Sequence, residues 1–502
     1  MRLQNPACLE RKLGDTEASY FLPSRESGVN DMYLHLGFSA QPHVVVRDRV
    51  ALVWAILRLK HPLLASAVEM RNYEDIRFVF KPYTSPESAL QDSNNNFEYR
   101  TGTKDELLHS YLNGARILSA NRLSYLIVSQ EPQSTDKSVI ESPKDENQTN
   151  WDLMICTTHF VGDGMALHQF ANDFFTLLAS AQDIDELGLL MNDEWRVRYG
   201  GQYSEMSLPA SLEERLPPGP TKFHQVASRV DFLNSQEKLV GGHSFPKRTG
   251  NERRTVVPTV AFDKERTGKM LKLCKAHSVS ISSALFAICN IAWIKSCKDK
   301  PDLPTLMYSA LNIRPYLSPD ELNDSYWFIA ISYFNVVLPG FLPASDIERT
   351  FWYRARCAKE QSTRAAKHQM IISRSREMAK ERGDRARCWA KEDDDKANGI
   401  PKASPPLTAT TVAAKAKPPS TALIGLSLLG NLDGTYKHAA FPKIRLHTLT
   451  TGSRQRSGAM LLFGYTFVGK LWVSLGYDMN GFEEGFVERF WGNVFSSIEE
   501  LL

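Results

Sequence analysis

The sequence predicts a layered α/β or α+β protein, and three observations predict it. Strand-like and helix-like periodicities alternate along the chain with long polar insertions between them. A strand–turn–helix unit occupies residues 151–180. Near the end, 459–468 and 471–477 read as a hairpin across Gly469-Lys470, followed by an amphipathic helix over 483–501.

Residues 32–38 alternate as a strand, and 48–59 place Leu52, Val53, Ile56 and Leu57 on one helical face. His61-Pro62 ends that helix, because the residue before a proline is pushed out of the α region. Residues 77–80, 123–129 and 151–158 read as strands, and 131–150 as a polar surface loop. After Gly164, the positions Leu167, Phe170, Phe174, Leu177 and Leu178 form one helical stripe. Residues 199–258 are rich in Gly, Pro and Ser, lose periodicity and read as an interdomain crossover. The pattern then resumes with a helix over 264–276, Ser282 as N-cap of a helix over 283–296, and strands over 305–311 and 330–337. The expected division is therefore a first domain at 1–200, a crossover at 201–258 and a second domain at 259–502. The second carries an insertion at about 354–420. Its first part, 354–402, has 14 Lys/Arg against 8 Asp/Glu at helical spacing and reads as a solvated helix. The Ala/Thr/Pro/Lys-rich run 402–420 that follows cannot bury a core and reads as a mobile linker.

Composition sets limits on function. With 42% hydrophobic and 23% charged residues among 502, disorder as the overall state is excluded. Sixty Lys+Arg against 57 Asp+Glu give a net charge of +3, with no footprint for nucleic acid or an anionic membrane, which leaves a small-molecule partner. The seven cysteines show no CxxC or Cys/His metal spacing, so neither a disulfide framework nor a metal site is expected. The N-terminal stretch lacks the apolar run of a secretory signal, and no segment approaches the ~18 apolar residues of a membrane span. A cytoplasmic, monomeric protein is the expectation, and the sequon Asn147-Gln148-Thr149 reads as chance.

The segment Thr158-His159-Phe160-Val161-Gly162-Asp163-Gly164 carries the chemistry, an HxxxDG at the join of strand and helix. The strand end holds His159, and a neutral imidazole suits a general base that removes a proton from an attacking hydroxyl or amine. Asp163 shapes the turn or caps the helix, while Gly162 and Gly164 allow tight backbone and close approach of a ligand. Cys156, on the preceding strand, is a small core residue by alternation.

His159–Gly164 resembles the active-site motif of the CoA-dependent acyltransferase superfamily, which includes chloramphenicol acetyltransferase, BAHD enzymes, alcohol acetyltransferases and peptide-synthetase condensation domains. Other segments resemble it in the same order: Leu59-Lys60-His61-Pro62-Leu63-Leu64, Asn312-Ile313-Arg314-Pro315, Tyr333-Phe334-Asn335, Leu426-Ser427-Leu428-Leu429-Gly430-Asn431, and the hairpin from Gly469 to Asp478. The likeness covers most of the chain from about residue 30 and is nearest to fungal trichothecene 15-O-acetyltransferases and alcohol acetyltransferases. Two departures stand out. Thr158 replaces the first His of the condensation HHxxxDG, and the DFGWG of plant BAHD enzymes is missing.

The resemblance implies two chloramphenicol-acetyltransferase-like α/β domains with the active site in a tunnel between them. It implies His159 as general base, Asp163 turned away from substrate and braced by Arg314, and the Gly164 amide adding to oxyanion stabilisation. Ser427 or Asn431 would add a further donor. Lys443, Arg445, Arg454 and Arg456 form the expected set for the phosphates of an acyl-CoA co-substrate, no cofactor being bound otherwise. The implied reaction acetylates a hydroxyl of a fungal secondary metabolite. Its rivals are a freestanding condensation enzyme using carrier-bound acyl groups, and a degenerate acyltransferase kept for binding.

Overall fold

The computed structural model describes residues 8–131, 148–200, 207–217, 221–297, 302–317, 325–343, 345–400 and 420–502, and these form three sheets. The sequon residue Asn147, most of the 131–150 loop and nearly all of the 402–420 linker lie outside the described residues.

The first large sheet runs Ile444–Ser453, Met32–Ala40, Thr149–Thr157, Ser124–Gln130, Phe97–Thr101, antiparallel except for its last pair. Every residue of Met32–Ala40 is buried, as befits a strand with neighbours on both sides and cover on both faces. One face packs on the apolar stripes of helices Arg47–Lys60 and Gly164–Leu178. Trp54 meets Phe170 edge-on at 5.7 Å, and Phe38 meets Phe175 at 5.2 Å.

The second large sheet runs Ile331–Leu338, Thr305–Asn312, Ile424–Asn431, Met460–Phe467, Lys470–Asp478, with Thr255–Val256 and Thr259–Phe262 both on the outer edge of the last. Helices Ile281–Ser296 and Phe486–Leu501 cover it around Phe245, Trp293 and Phe490. The predicted hairpin forms, but its turn lies one residue earlier than the expected Gly469-Lys470: Val468 (φ 49°) and Gly469 (φ 73°) make a two-residue left-handed turn, and Lys470 opens the second strand opposite Phe467. The Asp433 carboxylate accepts both turn amides, at 2.7 and 3.0 Å, which holds a β-branched residue where it is otherwise disfavoured. The small sheet joins Leu9–Lys12, Ile76–Phe80 and Ala67–Met70.

Three expectations need correction. The 201–258 crossover, aperiodic in sequence, nonetheless contains helices Leu212–Arg215 and Lys222–Glu237 and the strand Thr255–Val256. The longer helix buries only Ser228 and Phe232 and is held to its neighbour by ion pairs such as Asp231–Arg374, so it carries little apolar signal. Residues 259–502 are not one spatial domain, because Ile444–Ser453 pairs along its length with Met32–Ala40 of the first sheet. The charged 354–402 stretch is two helices, Ile347–Ala366 and Ile371–Ala397, and the second is not merely solvated. It lies along Asp15–Ser24, with Arg387 at 2.7 Å from Asp15 and Asp394 bonded to Arg25 and to the Tyr73 hydroxyl. A smaller correction concerns the helix at 281: Ser280, not Ser282, accepts the Ser283 N–H and caps Ile281–Ser296.

His61 and His168 are buried between these layers, at 5% and 0% exposure, with Nδ1 against the Ser325 and Tyr436 hydroxyls. Burial first, with Arg198 and Lys60 adding to it at His61, lowers both to about 3. An unfolded histidine titrates near 6.5, so between about 6.5 and 3 the unfolded chain binds more protons and stability falls as pH falls. Each histidine contributes up to about 1.4 kcal/mol per pH unit in that window. We expect the urea midpoint to drop from pH 6.5 to pH 4, and to drop less steeply in His61→Gln/His168→Gln; equal slopes in parent and variant would refute the assignment.

Candidate active site

A cavity of about 390 Å³ lies between the two large sheets and is lined from both halves of the chain. Tyr20, His159, Gly164 and Leu167 face it from one side, and Tyr308, Tyr333, Leu426, Ser427 and Phe463 from the other.

His159 opens a short 3₁₀ turn, His159–Val161, directly after the strand Thr149–Thr157. Its Nδ1 lies 3.1 Å from the Gly162 carbonyl oxygen. A carbonyl only accepts, so Nδ1 carries the proton and Nε2 keeps the lone pair. The Tyr20 ring lies 4.1 Å from the imidazole and fixes its plane. Burial pushes the His159 pKa below its usual value, and this outweighs the raising effects of its hydrogen bonds and of Asp163. The ring is therefore neutral and basic at neutral pH.

Asp163 is buried and points away from the cavity. Its Oδ1 accepts the Met165 and Ala166 amides at 3.1 and 3.2 Å, capping Gly164–Leu178, and its Oδ2 accepts the Ala330 amide at 2.8 Å. Arg314 Nη1 lies 2.8 and 2.7 Å from the two oxygens, and Nη2 donates to the Tyr326 and Phe328 carbonyls. The pair joins the two halves of the chain. Neither glycine of the motif has a positive φ, which corrects the torsional expectation. Gly162 is extended, and a Cβ there would come within 2.6 Å of the Trp327 ring, so the constraint is space. Gly164 is the first residue of its helix, and its N–H has no intrahelical acceptor.

The remaining candidates divide. Ser427 lines the cavity, on a strand whose register slips at a bulge between Leu428 and Gly430 (φ 72°). Asn431 does not line it; its side chain caps the turn Leu432–Gly434. The four expected phosphate ligands do not cluster. Lys443 and Arg445 are exposed at the start of Ile444–Ser453, whereas Arg456 lies beyond its end, roughly 30 Å away at ~3.3 Å per residue. Arg454 is buried and spent on the carbonyls of Tyr111, Gly114 and Ala115. Arg456 alone of the four reaches the rim of the cavity, with its guanidinium 5.8 Å over the Trp389 ring. Cys156 is fully buried, and burial raises its thiol well above the ordinary value. Among the described residues no group of three or more His, Cys, Asp or Glu is placed to hold a metal ion, and no single helix is long and apolar enough to cross a membrane.

Sequence reasoning missed the wall contributed by helix Ile371–Ala397. Arg382, Arg385, Ala386, Trp389, Ala390 and Asp393 face the cavity, a stripe at helical spacing hidden by the surrounding charges. It also missed Tyr20, on a helix with only a weak apolar periodicity.

No family model matches the sequence, and no curated protein matches it. Solved structures do resemble it. The TRI3 trichothecene 15-O-acetyltransferase of Fusarium sporotrichioides superposes with a TM-score of 0.70 at 12% identity, over 97% of this chain and 94% of its own. The first condensation domain of the CDA synthetase gives 0.60 at 10% identity, over 99% and 97%. The epimerization domain from the third module of tyrocidine synthetase B gives 0.58 at 12%, over 99% and 98%. Such likeness, along nearly the whole of each chain, gives this protein the two-domain α/β fold that these acetyltransferase, condensation and epimerization structures share.

Proposed function

We propose that the protein is an acyl-CoA-dependent O-acyltransferase that acetylates a hydroxyl of a small fungal secondary metabolite, such as a terpenoid alcohol, as a cytoplasmic monomer. One observation carries the reading: His159 lines a cavity between the two halves with Nδ1–H committed to a carbonyl and Nε2 left basic. Nε2 takes the proton of the acceptor hydroxyl as its oxygen attacks the thioester carbonyl carbon. The developing oxyanion is met by the Gly164 N–H at the helix start, with Ser427 Oγ as a second donor. As the tetrahedral intermediate collapses, the C–S bond breaks and the imidazolium returns its proton to the CoA thiolate. No acyl-enzyme is formed. Asp163 and Arg314 act by holding the turn that carries His159. The likeness to TRI3 supports O-acetyl transfer, and the working geometry of the base argues against a degenerate binding protein. At the rim, Trp389 lies between Arg385 at 5.5 Å and Arg456 at 5.8 Å, a place for the phosphates of the donor.

His159→Ala is expected to lower kcat by ~10²-fold or more with the melting temperature kept. In the parent, log kcat should fall with decreasing pH through an inflection below 6.5, because only the neutral imidazole accepts the proton. Near-normal turnover in folded His159→Ala removes the base from the mechanism.

Asp163→Ala and Arg314→Ala should each cost activity and stability, since removing one member of a buried pair costs ~3–5 kcal/mol. The double variant should lose far less than the sum; additive losses would dissolve the coupling.

Dephospho-acetyl-CoA should show a higher KM than acetyl-CoA, with binding of acetyl-CoA weakened by salt, and Arg456→Ala should narrow the difference. Equal use of both donors by the parent refutes a role for the 3′-phosphate at the rim. Activity with an acylated carrier protein only would transfer the case to condensation chemistry.

A further inference from the structure

Helix Ile371–Ala397 brings a cation to the reacting centre. Arg382 lines the cavity with its guanidinium 4.4 Å over the Tyr333 ring and 5.6 Å over the Tyr20 ring. The Tyr20 ring lies 4.1 Å from that of His159, so guanidinium and imidazole are at most about 10 Å apart.

The other arginines of this helix are engaged. Arg374 pairs with Asp231, Arg387 with Asp15 and Arg385 with Glu381, while Arg376 donates to the Leu216 carbonyl. Arg382 has no carboxylate partner among the described residues, and its buried Nε has no hydrogen-bond acceptor. Asp393, on the same stripe, is three turns further along, roughly 16 Å away. The surrounding phenols supply no counter-charge. Tyr20 and Tyr333 hydroxyls bond one another, and burial raises Tyr20 and Tyr308 above their ordinary values, so both stay neutral. A desolvated guanidinium facing open space without an anion is costly unless the ligand brings one.

We propose that Arg382 is a receptor for a carboxylate carried by one of the two reactants, the acyl group or the acceptor. This rests on the acyl-transfer reading of the cavity. The donor's own phosphates do not fit the position. With the thioester at His159, an extended pantetheine arm is longer than the distance of at most about 10 Å from the imidazole to Arg382, so it would carry the pyrophosphate past Arg382 towards Trp389 and Arg456 at the rim. A carboxylate matches the planar fork of the guanidinium with two parallel hydrogen bonds. Leu167, Leu426, Leu461 and Phe463 complete the lining, so the carboxylate is carried on an apolar body.

Two matched pairs test this by calorimetry on the full chain: ω-hydroxydodecanoate against its methyl ester, and succinyl-CoA against butyryl-CoA. In one pair the acid is expected to bind at least about ten-fold tighter than its neutral partner. A preference in the first pair puts the carboxylate on the acceptor, and one in the second puts it on the acyl group. Arg382→Gln should abolish the preference and leave the Kd of butyryl-CoA unchanged. Arg382→Lys, which keeps the charge and loses the fork, should shrink it and serves if the first variant does not fold. Equal binding within both pairs, or a preference undiminished in a folded variant, overturns the proposal. Because binding is read without turnover, a protein that prefers the acids yet transfers no acyl group from acetyl-CoA or succinyl-CoA would leave Arg382 in place and refute the acyltransferase reading instead.

Discussion

The Asp163 carboxylate is the point on which the site depends. In one place it caps the helix Gly164–Leu178, accepts a backbone amide from Ala330 in the opposite half, and receives the Arg314 guanidinium. Moving two charges out of water is expensive, and only a pair with its remaining donors and acceptors filled offsets that cost. Here Arg314 also donates to two carbonyls, and Asp163 accepts three amides, so the pair is supplied on both sides. Its chemical effect is equally important. A carboxylate this close raises the basicity of His159, but burial dominates and keeps the imidazole neutral. The aspartate's charge is spent on structure and not on pulling a proton toward the base.

The cavity itself is built by contributions from distant stretches of chain. Tyr20 comes from the first helix, His159 and Gly164 from the central motif, Ser427 from the second sheet, and Trp389 and Arg382 from the long charged helix. Around His159 its walls combine phenols and aliphatic carbons, with the charged side chains of Arg382, Arg385, Asp393 and Arg456 also in the lining, and a hydrogen bond to a developing charge counts most where water is excluded.

How much of this was legible in the sequence follows from what each residue does locally. Strands such as Thr305–Asn312 and the helix Lys264–Ala276 announce themselves because burial on one or both faces leaves a periodic apolar trace. HxxxDG was legible because one strand end and one helix cap generate it within six residues. Arg314 became readable only through resemblance, since nothing in Asn312-Ile313-Arg314-Pro315 reveals a partner 151 positions away. Helix Ile371–Ala397 hid its inner face because it buries small residues, Ser375, Ala379, Gly383 and Ala390, amid charges paired elsewhere. The phosphate set failed for a related reason. Positive charges close in sequence are not close in space here: a strand separates Arg445 from Arg456, and the fold consumes Arg454 as a brace for backbone carbonyls.

The strand Ile444–Ser453 sits beside Met32–Ala40, its partner residues about 400 positions earlier in the chain. During synthesis the first sheet therefore emerges from the ribosome with an open edge, and the strand that covers it follows about 400 residues later. Until then Met32–Ala40 presents unpaired backbone groups on a mostly apolar strand, a surface that invites wrong pairing. The two halves cannot mature one after the other as independent beads; completion of the first waits on nearly the whole of the second. A chain truncated before residue 444 would lose a wall of the first half, not a tail of the second, and pairing strands so far apart in sequence carries the loop-closure cost that slows folding in general.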